Sequence, residues 1–340
     1  MIGAGAPARG FAARTLKPLA VAAGLAVVAW LIYQVGPAAV WATVDSLGWR
    51  LGVVVCIPFS LAVALDTLGW AVLLRDHPVP FVVLVRARLA GEAVNLTTPT
   101  ASVGGEPLKA YLLRPHVPLA EALASVVVDK TAVITGQALF LAAGSALAAS
   151  RLPATSPILI GMVALLAVQV CCIAGFVAAQ TLGVFSGGGR VLGRIGIGSA
   201  ERHQAALDAL DRRLRGFYRE SRGRLLVSVL LHGAACVTGG LEISLVLAFL
   251  RIDASVLSAQ AIEAFAAAVK FASFMVPASL GALEGGYVAA FEAFGIAGAV
   301  GLSYTLIRRL REAVWAAAGY LWLASLRARP SLPATDEEMA

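Results

Sequence analysis

Two apolar stretches of this chain, 80–116 and 254–295, are each broken near the middle by Pro, Gly and Ser, and the two breaks match. They read Pro99-Thr-Ala-Ser-Val-Gly-Gly-Glu106 and Pro277-Ala-Ser-Leu-Gly-Ala-Leu-Glu284, so each proline is followed seven residues later by a glutamate, with 178 positions between the copies. The same offset carries Ser125 onto Ser303 and Lys130 onto Arg308. In hydrocarbon every backbone N–H and C=O needs an internal partner, so a broken segment is tolerated at membrane depth only against protein or a water-filled cavity. Each stretch is therefore expected to form a re-entrant helical hairpin. The alternative is two more ordinary spans in each.

The setting for those breaks is lipid. Of 340 residues, 59% are hydrophobic and 14% charged, with a mean hydropathy of +0.83, a balance that belongs to polytopic helical membrane proteins. Apolar windows of spanning length lie near 16–35, 50–74, 119–149, 155–182, 225–250 and 298–326. The expected fold class is thus an all-α polytopic membrane protein with about six full transmembrane helices and two re-entrant hairpins. It divides as one transmembrane domain (1–340): a first half at 16–182, a basic loop at 183–224, a second half at 225–326 and a tail at 327–340. Arg9, Arg14 and Lys17 precede the first apolar run without a clean cleavage site, which reads as a retained helix rather than a signal peptide.

Orientation follows from Lys and Arg. Loop 183–224 holds nine arginines against four acids, Arg75, Arg86, Arg88, Lys109 and Arg114 cluster around the first hairpin, and the opposite loops offer little more than Arg50, Arg151 and Arg251. The positive-inside rule then places both termini and the basic loop in the cytoplasm. The net charge of +7 reads as cationic loops facing an anionic inner leaflet, not as a nucleic-acid surface. In the loop, Ser199 to Arg222 has helical spacing with Leu207, Leu210, Leu214 and Phe217 on one side. It is expected as an amphipathic helix, either lying on the leaflet or packed on the protein. The span before the first hairpin would run inward and the one before the second outward, making the halves an inverted repeat.

Charges inside such a chain are expensive and tend to mark pathways or sites. The first hairpin offers Glu92, Asn95, Pro99, Glu106 and Lys109; the second offers Lys270, Ser273, Pro277, Ser279 and Glu284. Lys270 is the counterpart of Glu92 with its charge reversed. Asp129 and Lys130 lie within the third full span, and Arg308, Arg309, Arg311 and Glu312 near the centre of the last. Arg308 and Arg311 are expected to line the interior with Glu284, Glu106 or Asp129 as counterions, an arrangement suited to gripping a phosphate if cations exceed acids. Buried structural ion pairing is the plainer alternative. HExxH, GxSxG and Walker A signatures are absent from the sequence, His77, His116, His203 and His232 are scattered and read as loop or core residues, and the four cysteines read as packing residues. No metal and no cofactor is expected.

At these residues the chain resembles the transmembrane region of lysylphosphatidylglycerol synthases, a family of flippase-like membrane proteins. The carrying stretches are Gly91-Glu-Ala-Val-Asn95, Pro99, Gly104-Gly-Glu106-Pro-Leu-Lys109, Ala124 through Lys130, Pro277 through Glu284 and Leu306 through Arg308, within about 15–326. Leu65-Asp66-Thr-Leu-Gly-Trp70 leans toward the hopanoid-associated HpnL branch. The resemblance implies movement or handling of a lipid with a polar or anionic head group (a phospholipid, hopanoid or polyprenyl glycolipid) across a bacterial inner membrane. Larger members carry a cytosolic aminoacyl-transferase domain. This chain ends fourteen residues after Leu326, so lysyl transfer is not expected and the chain is not expected to be an enzyme. Two alternatives stand: a lipid-modifying membrane enzyme with Glu106 or Asp129 as general base, and a non-transporting scaffold of a lipid-biosynthesis complex. Expected partners are a membrane lipid as substrate, anionic inner-leaflet lipids and lipid-biosynthesis enzymes.

Overall fold

The computed structural model describes residues 46–74, 76–98, 104–194, 204–274 and 276–327. The expected span at 16–35 and Pro99 lie outside the described residues, as does almost all of the tail. Among the described residues the chain is all-helical, with eleven α-helices and no strand. Long apolar runs give α1 (Arg50–Leu73), α4 (Leu119–Ala149), α5 (Pro157–Leu182) and α8 (Arg222–Phe249), four helices long and apolar enough to cross a membrane. The expected last span is one unbroken helix of 30 residues, α11 (Gly298–Arg327). Its central charges keep it from meeting the same apolar standard. The chain is a multi-pass membrane protein.

Both broken segments fold as helix, break, helix. The first gives α2 (Phe81–Thr97) and α3 (Gly105–Leu113). The second gives α9 (Val256–Ala272), a single 3-10 turn at Pro277–Ser279 and α10 (Ala282–Ala293). Around the second break Ala278 and Ser279 take left-handed backbone (φ 51° and 52°) and Gly281 follows at φ 77°. Left-handed backbone disfavours a Cβ by roughly 1–2 kcal/mol per residue, so this break needs outside support. Shifted by 178 positions, Arg50–Leu73 becomes 228–251, Phe81–Thr97 becomes 259–275, Gly105–Leu113 becomes 283–291 and Leu119–Ala149 becomes 297–327, each nearly coincident with α8, α9, α10 and α11. The element order therefore repeats, and not only the sequence motif.

Packing is reciprocal between the two sets of four. α1 lies along α8, its counterpart; α4 lies along α9, and α11 along α2, so each hairpin's first arm is held by the other set's long helix. Close approach is made by residues without side chains, as in many membrane helix pairs. A Cβ on Gly136 of α4 would sit 2.7 Å from the Gly233 nitrogen of α8, and one on Gly105 would sit 2.0 Å from the Gly91 carbonyl oxygen across the first hairpin. α5 carries the most lipid-like surface and is tied down by its few polar groups: Gln169 donates to the Ile134 carbonyl at 3.0 Å and Gln180 to the Thr131 hydroxyl at 3.0 Å.

The basic loop contains α6 (Val184–Arg194) and α7 (Gln204–Glu220). Of the two readings of the amphipathic helix, the structure shows the packed one. Leu210 and Leu214 are buried against Leu73, Ala124 and Val128 of α1 and α4, with Phe217 beside them. Ser199 to His203, its expected start, lie outside the described residues. Arg213 pairs with Glu121 and Arg224 with Asp76, closing the edges of that contact. The expectation for cysteine packing fails at three positions: Cys56, Cys171 and Cys172 are exposed on the apolar surface, and Cys236 is half-buried.

The Gly91–Gly105 contact gives a sharp check. Gly105→Ala leaves no room for its methyl and is expected to destabilise the protein by about 1–3 kcal/mol, the usual cost of overpacking. Gly187→Ala, whose added Cβ meets nothing within 4 Å, is expected to leave the thermal midpoint in detergent unchanged.

Candidate functional site

Each repeated set of elements carries one cluster of buried charge. In the first, α2 and α3 converge because Asn95, near the end of α2, takes the Gly105 N–H on its Oδ1 at 2.7 Å and donates Nδ2 to Glu106 at 3.2 Å. Glu106 stands in the first turn of α3, where the helix dipole favours an acid. Lys109, buried, reaches Glu92 at 2.8 Å and Glu106 at 3.2 Å, and Lys130 of α4 reaches Glu106 at 3.4 Å. One turn away Asp129 accepts from Arg88 of α2 at 2.9 Å and meets His232 of α8 at 3.0 Å. The other ring nitrogen of His232 faces Asp66 of α1 at 2.6 Å. Arg88 also donates to the Asp66 carbonyl oxygen at 2.9 Å and lies over the Trp70 ring.

The second cluster is built on α11. Arg309 donates to Glu284 at 2.8 Å, to Glu312 at 2.9 Å and to the Ala278 carbonyl at 2.8 Å. It thereby holds the left-handed turn in place. Glu284 in turn accepts the Gly281 N–H at 2.7 Å, a capping contact at the start of α10. Arg308 pairs with Glu263 of α9 at 2.9 Å and with Tyr287, whose hydroxyl donates to Glu263 at 2.6 Å. Arg311 pairs with fully buried Glu242 of α8 and lies 5.0 Å over the Phe59 ring.

The two glutamates singled out by the sequence offset thus occupy equivalent places: first turn after the break, paired to a cation of the next long helix, Lys130 for one and Arg309 for the other. The remaining expected residues are distributed as follows. Glu92 is half out of the protein, its side chain 51% exposed. Lys270 is exposed and makes no ion pair with a described residue. Ser273 ends α9, donating to the Val269 carbonyl, and Ser279 is buried in the 3-10 turn of which Pro277 is the first residue.

Several expectations need correction. Arg308 and Arg311 do not take Glu284, Glu106 or Asp129 as counterions; Glu263, Glu312 and Glu242 serve instead. Cations do not exceed acids, since Arg88, Lys109 and Lys130 stand among Asp66, Glu92, Glu106 and Asp129, and Arg308, Arg309 and Arg311 among Glu242, Glu263, Glu284 and Glu312. The two sets are also paired separately. Among the described residues no ion pair joins them, and a cavity of about 180 Å³ is lined by Ser46, Leu250, Ala299, Val300, Ser303 and Ile307, none of them charged. Arg88 and Lys109, counted with the cytoplasmic basic residues by sequence, are buried within the first cluster. Asp66, His232, Glu242, Glu263 and Tyr287 were not anticipated as cluster members.

Paired broken helices, each with its carboxylate tied to the following helix, are the local pattern against which a family can be tested. A family model for the lysylphosphatidylglycerol synthase TM region matches residues 18–319. The chain belongs to that family. No curated protein and no solved structure is similar enough to match. The match covers every charged residue of the two clusters, so both belong to the lysylphosphatidylglycerol synthase transmembrane region itself.

Removing one partner of a buried pair leaves an uncompensated charge, at a cost of about 3–5 kcal/mol. Glu242→Gln, which strands Arg311, is expected to lower the thermal midpoint strongly. The double variant Glu242→Gln with Arg311→Met is expected to recover part of that loss in the same measurement.

Proposed function

We propose that this chain is a flippase-like lipid translocase of a bacterial inner membrane, moving a lipid with a polar or anionic head group, and that it performs no chemistry on it. The observation that carries the reading is the duplicated break and carboxylate, each carboxylate paired to a cation of the next long helix: Glu106 with Lys130, and Glu284 with Arg309, one residue past Lys130's counterpart Arg308. Family membership supports a lipid-related role at the membrane. The repeat of element order and the reciprocal packing of α4 on α9 and α11 on α2 are what two halves related by a two-fold axis in the membrane plane would produce. On this reading both termini are cytoplasmic.

The arrangement described is then the closed one. Every cation of the two clusters already has a carboxylate partner, so a head group gains entry by exchanging with an existing partner. Candidates for the exchange are the charges that already reach the surface: Glu92, Lys130 with its side chain 30% exposed, and Lys270. Glu92 and Lys270 occupy equivalent positions with opposite sign, so a zwitterionic or phosphate-bearing head group would meet a cation on one arm and an anion on the other. Glu106 and Asp129, the groups that base catalysis would need, are buried and ion-paired, which weighs against an enzyme.

Internal pairing of those cations also favours a second reading, a non-transporting scaffold whose charge clusters only hold its helices together. Reconstitution into vesicles with a leaflet-resolved lipid probe separates the two. For a translocase, Lys270→Gln, which breaks no ion pair with a described residue, and Glu92→Gln, which leaves buried Lys109 its second partner Glu106, are expected to slow transbilayer movement by about tenfold or more, the equivalent of one lost charge-assisted hydrogen bond. Protein that folds normally and moves no lipid above the protein-free rate would leave the scaffold.

A further inference from the structure

We propose that Asp66, His232 and Asp129 form a binding site for one proton, whose presence fastens α8 to α1 and α4. The ring of His232 is 1% exposed and has a carboxylate oxygen at each nitrogen: Asp66 Oδ1 at 2.6 Å from Nδ1 and Asp129 Oδ1 at 3.0 Å from Nε2. A neutral imidazole has one N–H and one lone pair, whereas an ionised carboxylate only accepts. One neutral ring therefore satisfies one of these two carboxylates and turns its lone pair on the other. Both contacts are hydrogen bonds only if the triad holds one proton more, on the ring or on a carboxyl oxygen.

Charge leads to the same count. The groups facing the ring are Asp66 from α1 and Asp129 from α4, with Arg88 of α2 paired to Asp129 and the Cys236 thiol one turn along α8. α9 places Gln260 and Glu263 against Gly240 and Gly239, about two turns further along α8. α7 directs Tyr218 to Thr131 and Gln180 rather than to the ring. With the extra proton, two carboxylates, Arg88 and the ring sum to zero. Without it, a negative charge is left in an apolar interior, where uncompensated charge is costly.

The site also has one open end. Asp66 is 31% exposed while Asp129 is 3% exposed, so the proton enters and leaves at Asp66. Its departure turns the contact between α1 and α8 from a hydrogen bond into a repulsion between lone pair and carboxylate, and separating those two helices relieves it. Since α1 and α8 are equivalent members of the two repeated sets, the proton sits on their joint. This assignment holds whether or not the protein moves lipid.

The test uses the full chain in lipid nanodiscs with 15N-labelled histidine, titrated by NMR together with infrared detection of protonated carboxyl groups. The expected result is one histidine, missing in His232→Gln, with both nitrogens protonated at neutral pH, or a protonated carboxyl band at the same pH. In Asp66→Asn the amide can donate to Nδ1, and the same ring is expected to become neutral with its proton on Nε2. Asp253→Asn, on an exposed loop, is expected to change neither signal. If His232→Gln fails to fold, the contrast between Asp66→Asn and Asp253→Asn assigns the signal alone. A neutral, singly protonated His232 in the parent protein at neutral pH, with no carboxyl band sensitive to Asp66→Asn, would overturn the proposal.

Discussion

A charge in an apolar interior has to be neutralised where it stands, and that requirement organises this molecule. An arginine near the middle of a membrane helix costs about 2.5–3.5 kcal/mol even on lenient insertion scales, and α11 carries three within four residues. They are tolerated because each finds a carboxylate on a different neighbour: α9 for Arg308, α10 for Arg309, α8 for Arg311. Neutralising one helix therefore fixes the positions of three others. Aromatic faces complete the job, with Arg88 on Trp70, Arg308 on Tyr287 and Arg311 on Phe59. Such stacking suits a guanidinium better than an ammonium.

α8 is the element on which both clusters depend. His232 reaches α1 and α4, the backbone at Gly233 touches Gly136, Gly239 and Gly240 leave room for Glu263 and Gln260 of α9, and Glu242 meets Arg311. One helix thus has acidic, basic and bare-backbone contacts in sequence along its length. Among the described residues the clusters share no ion pair, yet they share this rod.

Much of the fold was legible in the sequence because hydropathy and helix breakers act locally. Windows at 50–74, 119–149, 155–182, 225–250 and 298–326 became helices with boundaries within a few residues, and both Pro-Gly interruptions became breaks. Glu106 and Glu284 were legible through their duplication. Counterions were not, because pairing depends on which helices meet and no local pattern encodes that. Glu242 and Glu263 each stand singly in an apolar run, His232 likewise, and Arg88 sits in a stretch whose basic character resembles a cytoplasmic flank. The expected counterions of Arg308 and Arg311 fail for the same reason: the duplication marks matching residues, whereas each arginine is paired by a carboxylate of its own cluster.

The hydroxyl of Tyr218, on helix α7 of the basic segment, bonds both Thr131 and Gln180. Thr131 directly follows Asp129-Lys130, the residues through which α4 enters the first cluster. The basic segment is therefore no loose appendage. Any force that lifts it from the bundle, from a docking protein or from the pull of a charged lipid surface, is delivered through a phenol to the backbone turn that carries Asp129 and Lys130.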